Sequence, residues 1–190
     1  RLGSVILLGI VTFLPALHAA EVRMTNVDLV ASRVQLLATR SDLIVISTWH
    51  HGITWNRYYR GAAPWMTVPP IEFHRWHRPD LIKKNMEADQ TVPVRAVESR
   101  IAATLRSGNR VFILGNLPMV PRGKKPVILP RAPLHGNEWP MALYQNHWAL
   151  TLGYFVQQHS TSITVARVNA IRRVSGYENP PLVIVTGWKP

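Results

Sequence analysis

The chain has 190 residues, with 22 Lys and Arg against 10 Asp and Glu, eight His and no Cys. This length suits one domain of ordinary size, and an apolar content of 47% excludes a wholly disordered chain. The lack of Cys excludes a disulfide framework, a thiolate zinc site and a cysteine nucleophile. The net charge of +12 is concentrated in residues 99–190, which hold 11 basic and only two acidic residues. This basic half favours anionic partners, although a solvated face without a partner would explain it equally well.

The first twenty residues are the most apolar part of the sequence. Residues 2–20 carry no formal charge, and a transmembrane helix needs about 20 predominantly apolar residues. Because the chain begins with Arg1 rather than Met, residues 1–20 are predicted to be the last transmembrane helix of a longer protein, and residues 21–190 the domain that follows it. A cleaved signal peptide is the alternative, but cleavage after Ala20 would put His18 where a small residue is preferred.

Residues 21–190 alternate between helical and strand patterns. Helices are predicted at 25–40, 81–88, 92–107 and 139–159, and strands at 43–47, 110–114, 163–168 and 182–186. Continuous apolar runs such as LIVIS at 43–47 are typical of strands buried on both faces. The pattern predicts a layered α/β domain with a mainly parallel sheet of about four strands flanked by helices. Residues 49–80 and 115–136 are predicted to be long loops.

The familiar catalytic motifs are missing from the sequence. It contains no dinucleotide-binding glycine pattern, no Walker A loop, no nucleophile elbow and no HExxH zinc motif. The small number of acidic residues argues against a cation site made of carboxylates. His74 and His77 have a spacing that a metal could use, but surface His residues that form hydrogen bonds are commoner. We therefore expect no catalytic residue, no cofactor and no metal site in this chain.

Segment 49–80 is the strongest indication of a ligand site. It holds four of the eight His and four of the seven Trp, and it follows a strand at whose carboxyl end open α/β sheets bind ligands. Aromatic rings can stack on sugars or bases, while Arg and His donate hydrogen bonds to phosphate. The alternative is an aromatic lid packed on the sheet, with Trp49 and Trp55 in the core. The candidate ligand-binding residues are His50, His51, Arg57, Tyr58, Tyr59, Arg60, Trp65, His74, Arg75 and His77.

The loop predicted at residues 115–136 holds four basic residues and no acidic residue. If it lies beside a membrane, three of them are candidates for binding anionic lipid headgroups: Arg122, Lys124 and Lys125. If it faces away from the membrane, they form a solvated surface.

The sequence TNVDLVASRVQLLATRSDLIVISTWHHGITWNRYYRGAAPWMTVPP resembles a segment found in bacterial membrane glycosyltransferases. These enzymes form the superfamily of protein-mannosyltransferase and aminoarabinose-transferase-like proteins (GT-C), in which the segment follows the last membrane helix. The resemblance covers roughly residues 20–80 and implies an enzyme that moves a sugar from a polyprenyl-phosphate donor to a glycan, lipid or protein acceptor. It also implies that the catalytic carboxylate lies upstream of this chain.

The resemblance thus predicts an accessory domain of a bacterial inner-membrane glycosyltransferase, in contact with membrane lipids and outside the cytoplasm. In this interpretation Arg57 and Arg60 contact the donor phosphate or an acceptor anion, and Tyr58, Tyr59 and Trp65 stack on sugar. The main alternative is a secreted basic module that binds carbohydrate or the cell envelope. A nucleic-acid-binding domain is a weaker alternative suggested by the charge, and we expect no nucleic-acid partner.

Overall fold

Six helices and five strands form most of the chain that the computed structural model describes, which is residues 2–133 and 140–190. The helices are α1 (Leu2–Glu21), α2 (Val27–Leu37), α3 (His51–Tyr58), α4 (Pro79–Glu87), α5 (Val92–Arg106) and α6 (Met141–His159). The strands are β1 (Leu43–Ile46), β2 (Trp65–Thr67), β3 (Val111–Leu114), β4 (Ser160–Ala166) and β5 (Leu182–Trp188). A 3-10 turn at Gly176–Glu178 precedes β5.

The strands form one mixed sheet in the order β2-β1-β3-β5-β4. Strand β1 pairs in parallel with β2 and β3, whereas β5 is antiparallel to both β3 and β4. The predicted α/β domain with flanking helices is confirmed, but the prediction of a mainly parallel sheet of about four strands is wrong. The reason is that β4 follows α6 with no loop between them and pairs with the next strand along the chain, so these two strands add an antiparallel half.

Two apolar cores lie on the two faces of the sheet. One core packs α4, α5 and α6 against every second residue of β1 and β3, and the other packs α2 and α3 against the residues between them. Because successive side chains of a strand point to opposite faces, a continuous apolar run contributes to both cores. All residues of β1 and β3 are buried, as the sequence predicts for central strands of this kind.

Segment 49–80 is more regular than the sequence predicts. It contains α3, which begins directly after the carboxyl end of β1, and the three-residue edge strand β2. The prediction missed this strand because it lies between Pro64 and Pro69, and proline is typical of loops. Residues 115–133 contain no helix or strand, in agreement with the predicted loop, whose last three residues lie outside the described part of the chain.

Most of the described side chains of helix α1 are apolar and exposed, among them Leu7, Leu8, Val11, Phe13 and Leu17. Pro15 lies inside the helix. A membrane crossing requires about 20 predominantly apolar residues. Among residues 2–133 and 140–190, no helix has both the length and the apolar character for such a crossing. The transmembrane helix predicted at residues 1–20 is therefore not found.

The chain that leaves α1 joins the domain near the start of β5. Arg23 forms a parallel bridge with Val174, and the Asn26 backbone N–H donates to the Glu178 carbonyl oxygen at 2.9 Å. The segment that contains Glu178 leads into β5, whose first residue pairs with the last residue of β3. The carboxyl ends of the parallel strands and the end of α1 therefore lie on the same side of the domain.

Candidate functional site

The carboxyl ends of β1 and β3 approach each other closely enough to bring two loops together. The Ser47 hydroxyl donates to the Asn116 carbonyl oxygen at 2.8 Å. Gly115 has a φ of 110°, and a Cβ atom at this position would lie 2.5 Å from Ser47 Oγ. Only glycine combines this backbone conformation with the close approach. As a result, residues 48–51 after β1 lie next to residues 115 and 116 after β3.

A small cavity of about 170 Å³ lies at this junction. Its walls come from the loop after β1, the loop after β3 and the segment before β5. The lining residues are Thr48, His50, His51, Gly115, Asn116, Gly176, Tyr177, Asn179, Pro180 and Pro181. None of them is an acid, a lysine or an arginine, so we call this cavity the neutral pocket.

The two histidines of the neutral pocket are uncharged at neutral pH. Burial, followed by repulsion from His51 and His77, lowers the pKa of His50 from 6.5 to about 4. Burial also lowers the pKa of His51, despite the opposing effects of the Tyr177 carbonyl and the Glu178 carboxylate. The two rings lie 4.4 Å apart between centroids in an edge-on arrangement. The pair therefore offers polar nitrogen atoms without positive charge.

His51 leaves one of these nitrogen atoms without a partner. The residue is 6% exposed, and its Nε2 lies 3.5 Å from the Tyr177 carbonyl oxygen. Its buried Nδ1 has no hydrogen-bond partner among the described residues. When Nε2 carries the proton, Nδ1 of a neutral imidazole is an acceptor. His51 Nδ1 is therefore an unsatisfied acceptor buried beside the neutral pocket.

A larger and more basic groove of about 650 Å³ runs beside α3. Three arginines and one glutamate are among its lining residues, which are Thr25, Ile53, Thr54, Asn56, Arg57, Tyr58, Arg60, His74, Arg75 and Glu178. We call it the basic groove. The glutamate accepts a hydrogen bond of 3.2 Å from the Thr54 hydroxyl.

The three arginines of the basic groove differ in how free their guanidinium groups are. Arg60 donates to the carbonyl oxygens of Asn56, Arg57 and Tyr59 at 2.8 to 3.0 Å, so its N–H groups cap the carboxyl end of α3. Arg57 and Arg75 are exposed, and no carboxylate of the described residues forms an ion pair with either of them. These two arginines are the ones available to an anionic ligand.

The basic groove and the neutral pocket are adjacent because the 3-10 turn before β5 contributes to both. Glu178 lines the groove, whereas Tyr177 and Asn179 line the pocket. Helix α3 links them in the same way, since the residues at its start line the pocket and Arg57 in its last turn lines the groove.

The structure brings together seven of the ten predicted ligand-binding residues. His50 and His51 line the neutral pocket, and the basic groove is lined by Arg57, Tyr58, Arg60, His74 and Arg75.

The other three predicted ligand-binding residues line neither cavity. Tyr59 is buried against Trp55, with ring centroids 4.7 Å apart, and its hydroxyl donates to the Ala63 carbonyl oxygen. Trp65 is half-buried and packs on His74 with 4.5 Å between centroids. The exposed His77 has an edge contact with Trp49, which together with Trp55 belongs to the cores.

The predicted lipid-headgroup residues Arg122, Lys124 and Lys125 are exposed in the loop after β3 and line neither cavity. This loop is held against α6, since the Val120 backbone exchanges two hydrogen bonds of 3.1 Å with the Gln157 side chain.

Sequence reasoning missed the part of the site that comes from the chain before β5. Tyr177, Glu178 and Asn179 lie more than a hundred residues from α3 and follow no recognisable motif. Asn116 and Gly115 could have been predicted as site residues, because they follow β3 and the carboxyl ends of neighbouring parallel strands lie at the same end of the sheet. Within the described residues, no group of three or more His, Asp or Glu is arranged to hold a metal ion.

Comparison with known proteins gives no match for this chain, whether to a protein-family model, to a curated protein or to a solved structure. The resemblance to GT-C glycosyltransferases thus stands on the sequence motifs alone.

Proposed function

We propose that this chain is an accessory part of a glycosyltransferase that uses a polyprenyl-phosphate sugar, and that its two adjacent cavities hold the sugar-phosphate end of the donor. The observation that carries the proposal is the position of the basic groove directly beside the neutral pocket. A sugar phosphate presents an anionic group next to neutral hydroxyls. It therefore suits a surface that has cationic donors on one side and uncharged acceptors and donors on the other.

The phosphate would lie in the basic groove against Arg57 and Arg75. Guanidinium groups form paired charge-assisted hydrogen bonds with phosphate oxygens. Arg60 adds positive charge, although its N–H groups are occupied by backbone carbonyls. Glu178 opposes an anion, and its hydrogen bond with Thr54 holds it at the boundary with the neutral pocket.

The sugar would lie in the neutral pocket. Its hydroxyls would find donors and acceptors in Thr48, His50 and Asn116, which line the pocket. The low pKa of His50 keeps positive charge out of this pocket. Tyr58, which is partly exposed along the groove, offers a ring face on which a sugar or an isoprenoid can pack.

A lipid-linked donor must be reached from a membrane, and the position of α1 agrees with this requirement. The end of α1 and both cavities lie on the same side of the domain. The exposed apolar side chains of α1 would connect the domain to the remainder of the enzyme. In this proposal the enzyme belongs to a bacterial inner membrane, residues 21–190 lie outside the cytoplasm, and the acceptor is a glycan, lipid or protein. The catalytic carboxylate belongs to another part of the enzyme.

Binding of a short isoprenyl phosphate tests the proposal on the 190-residue chain itself. Calorimetry would compare geranyl phosphate with geraniol and with inorganic phosphate. We expect geranyl phosphate to bind most tightly, and Arg57→Gln or Arg75→Gln to weaken it by about tenfold, because each removes a charge-assisted hydrogen bond. Arg100→Gln, an exposed arginine of α5 on the opposite face of the sheet, is the matched control and should leave binding unchanged.

Two outcomes would contradict the proposal. Equal binding of geraniol and geranyl phosphate would show that the phosphate is not recognised. Equal weakening by Arg57→Gln and Arg100→Gln would show that the net charge matters and the basic groove does not. Tight binding of neutral oligosaccharide, unaffected by either groove variant, would instead support the carbohydrate-binding alternative.

In a membrane preparation of the enzyme, Arg57→Gln should lower sugar transfer without lowering the amount of folded protein.

A further inference from the structure

A second basic and apolar surface lies next to the end of α1, outside the two cavities described above. A hollow of about 580 Å³ separates the last turns of α1 from the segment before β5. Its lining residues are Leu17, Ala20, Glu21, Val22, Arg172 and Arg173. The Arg23–Val174 bridge fixes the two chain segments side by side, with backbone hydrogen bonds of 2.8 Å from Arg23 to Arg173 and from Ser175 to Arg23.

The apolar part of this surface is strongly exposed. Ile171 precedes the two arginines and is 105% exposed, which is the highest value among the large apolar side chains of the described residues. Met24, next to the bridge, is 74% exposed, and Leu17 of α1 is also exposed. Apolar side chains that protrude together with a basic rim are typical of an interaction surface.

The basic part of the surface has uncompensated charge. Arg172 and Arg173 are exposed, and within the described residues neither of them forms an ion pair. Glu21 lines the same hollow and offsets one positive charge. Arg23 adds none, because it is paired with Asp28 at 2.5 Å. With Arg172 and Arg173 against the single Glu21, the surface keeps a net positive charge.

We propose that residues 171–173, together with the end of α1, form a contact surface for an anionic lipid bilayer. In this contact Ile171 enters the interfacial layer, and Arg172 and Arg173 bind the phosphates of the headgroups. A protruding apolar side chain flanked by arginines, beside a helix with exposed apolar residues, has the chemistry of a surface that lies in the headgroup region. The contact does not depend on the sugar-transfer reaction. It also differs from the headgroup site predicted in the loop after β3.

The lack of Cys allows a test that reports on one position at a time. Ile171→Cys would be labelled with a polarity-sensitive fluorophore and mixed with vesicles of phosphatidylcholine alone or of phosphatidylcholine with phosphatidylglycerol. We expect a blue shift with the anionic vesicles that is reduced at high salt. The matched control is Val127→Cys, a 79% exposed position next to Lys124 and Lys125, which should show no shift.

Charge variants in the Ile171→Cys protein then identify the arginines responsible. Arg172→Gln/Arg173→Gln should weaken partitioning to anionic vesicles on the order of thirtyfold, since each basic residue near such a surface contributes about fivefold. Lys124→Gln/Lys125→Gln removes the same charge and should have little effect. An equal loss with both pairs would overturn the proposal. So would an equal shift with neutral vesicles, or a shift that follows protein concentration without vesicles and so reports contact between copies.

Discussion

Gly52 of α3 packs directly against the His74 imidazole and the Thr67 side chain. A Cβ atom at residue 52 would lie 3.0 Å from His74 Nδ1 and 2.8 Å from Thr67 Cγ2. Thr67 cannot yield easily, because its hydroxyl donates to the Pro69 carbonyl oxygen and accepts from the Ile71 N–H. The missing side chain at residue 52 thus allows α3 to approach β2 and keeps His74 at the wall of the basic groove.

Gly52→Ala should therefore destabilise the fold by about 1–2 kcal/mol, because the strain of overpacking exceeds the gain from alanine in a helix. Gly9→Ala is the control, since nothing lies within 4 Å of a Cβ atom at that helical position. This variant should be neutral or slightly stabilising. Urea unfolding measures both. A Gly52→Ala protein as stable as Gly9→Ala would show that His74 and Thr67 are not held in place.

The elements with strong patterns were predictable from the sequence, and the sheet geometry was not. The apolar runs of β1 and β3 identify strands buried on both faces, and the structure buries every residue in them. Strand β4 overlaps the strand predicted at residues 163–168, but most of its residues are exposed at the sheet edge, so it lacks the apolar run of a central strand. It pairs with β5 in antiparallel orientation. Because a long connection separates the two strands in sequence, the local sequence of β4 does not encode this orientation.

The candidate site was predictable only on one of its walls. The aromatic and basic composition of residues 49–80 pointed to the side of the site formed by α3 and residues 74–75. Tyr59 is the same residue type as its neighbour Tyr58, but it lies directly after the end of α3 and stacks on Trp55 in the core. The opposite wall comes from residues 176–181, which only the tertiary fold brings to α3.

Asp42 and Arg110 connect the starts of the two central strands. Arg110 Nη2 lies 2.9 Å from Asp42 Oδ2, and the Arg110 backbone N–H donates to Asp42 Oδ1 at 2.7 Å. Asp42→Asn should lower the free energy of unfolding by about 2 kcal/mol, because it removes charge-assisted hydrogen bonds from a buried carboxylate. Asp80→Asn, which breaks an exposed pair with Arg78, should cost far less, because solvent screens an exposed ion pair. Similar losses in the two variants would contradict this account.

The same carboxylate should contribute to stability at neutral pH and not in acid. Burial raises the pKa of Asp42, but hydrogen bonds from Arg110 and Thr39 lower it further than burial raises it, and the net pKa is below its ordinary value. A lowered folded-state pKa gives stability that is present above the unfolded-state value and is lost as the pH falls through the folded-state value. Wild type should therefore lose its advantage over Asp42→Asn in acid. Chemical unfolding across acidic pH checks this, and a constant difference would refute it.

Gln90 and Trp148 form a buried polar pair between the chain after α4 and helix α6. Trp148 Nε1 donates to Gln90 Oε1 at 2.9 Å, and Gln90 Nε2 donates to the carbonyl oxygens of Met86 and Ala88 at 2.8 Å. Gln90 is 2% exposed. Gln90→Leu should cost about 2–4 kcal/mol, because it leaves the buried indole N–H without a partner and removes the hydrogen bonds to the two carbonyl oxygens.

A double-mutant cycle separates this polar contact from packing. Trp148→Phe removes the indole donor and retains an aromatic ring, so its cost should be smaller in the Gln90→Leu background than in wild type. Equal costs in the two backgrounds would show that the hydrogen bond contributes nothing measurable.

His50 should make the fold sensitive to mild acid. Its pKa in the folded protein is about 4, below the ordinary 6.5, so the unfolded chain binds a proton more readily between these values. Stability must then fall as the pH drops through this range. Burial lowers the pKa of His51 and His74 as well, so these two residues act in the same direction.

His50→Gln should remove the part of this pH dependence that belongs to His50. Between about pH 7 and about pH 5, wild type should lose about 1–2 kcal/mol more of its unfolding free energy than the variant does. Urea titrations at the two pH values measure this difference, and the imidazole NMR resonance that is missing in the variant identifies His50. If that resonance titrates with a midpoint near 6.5 in the folded protein, the neutral pocket carries a charge at mildly acidic pH. The assignment of its sugar-facing side to uncharged imidazoles would then be wrong.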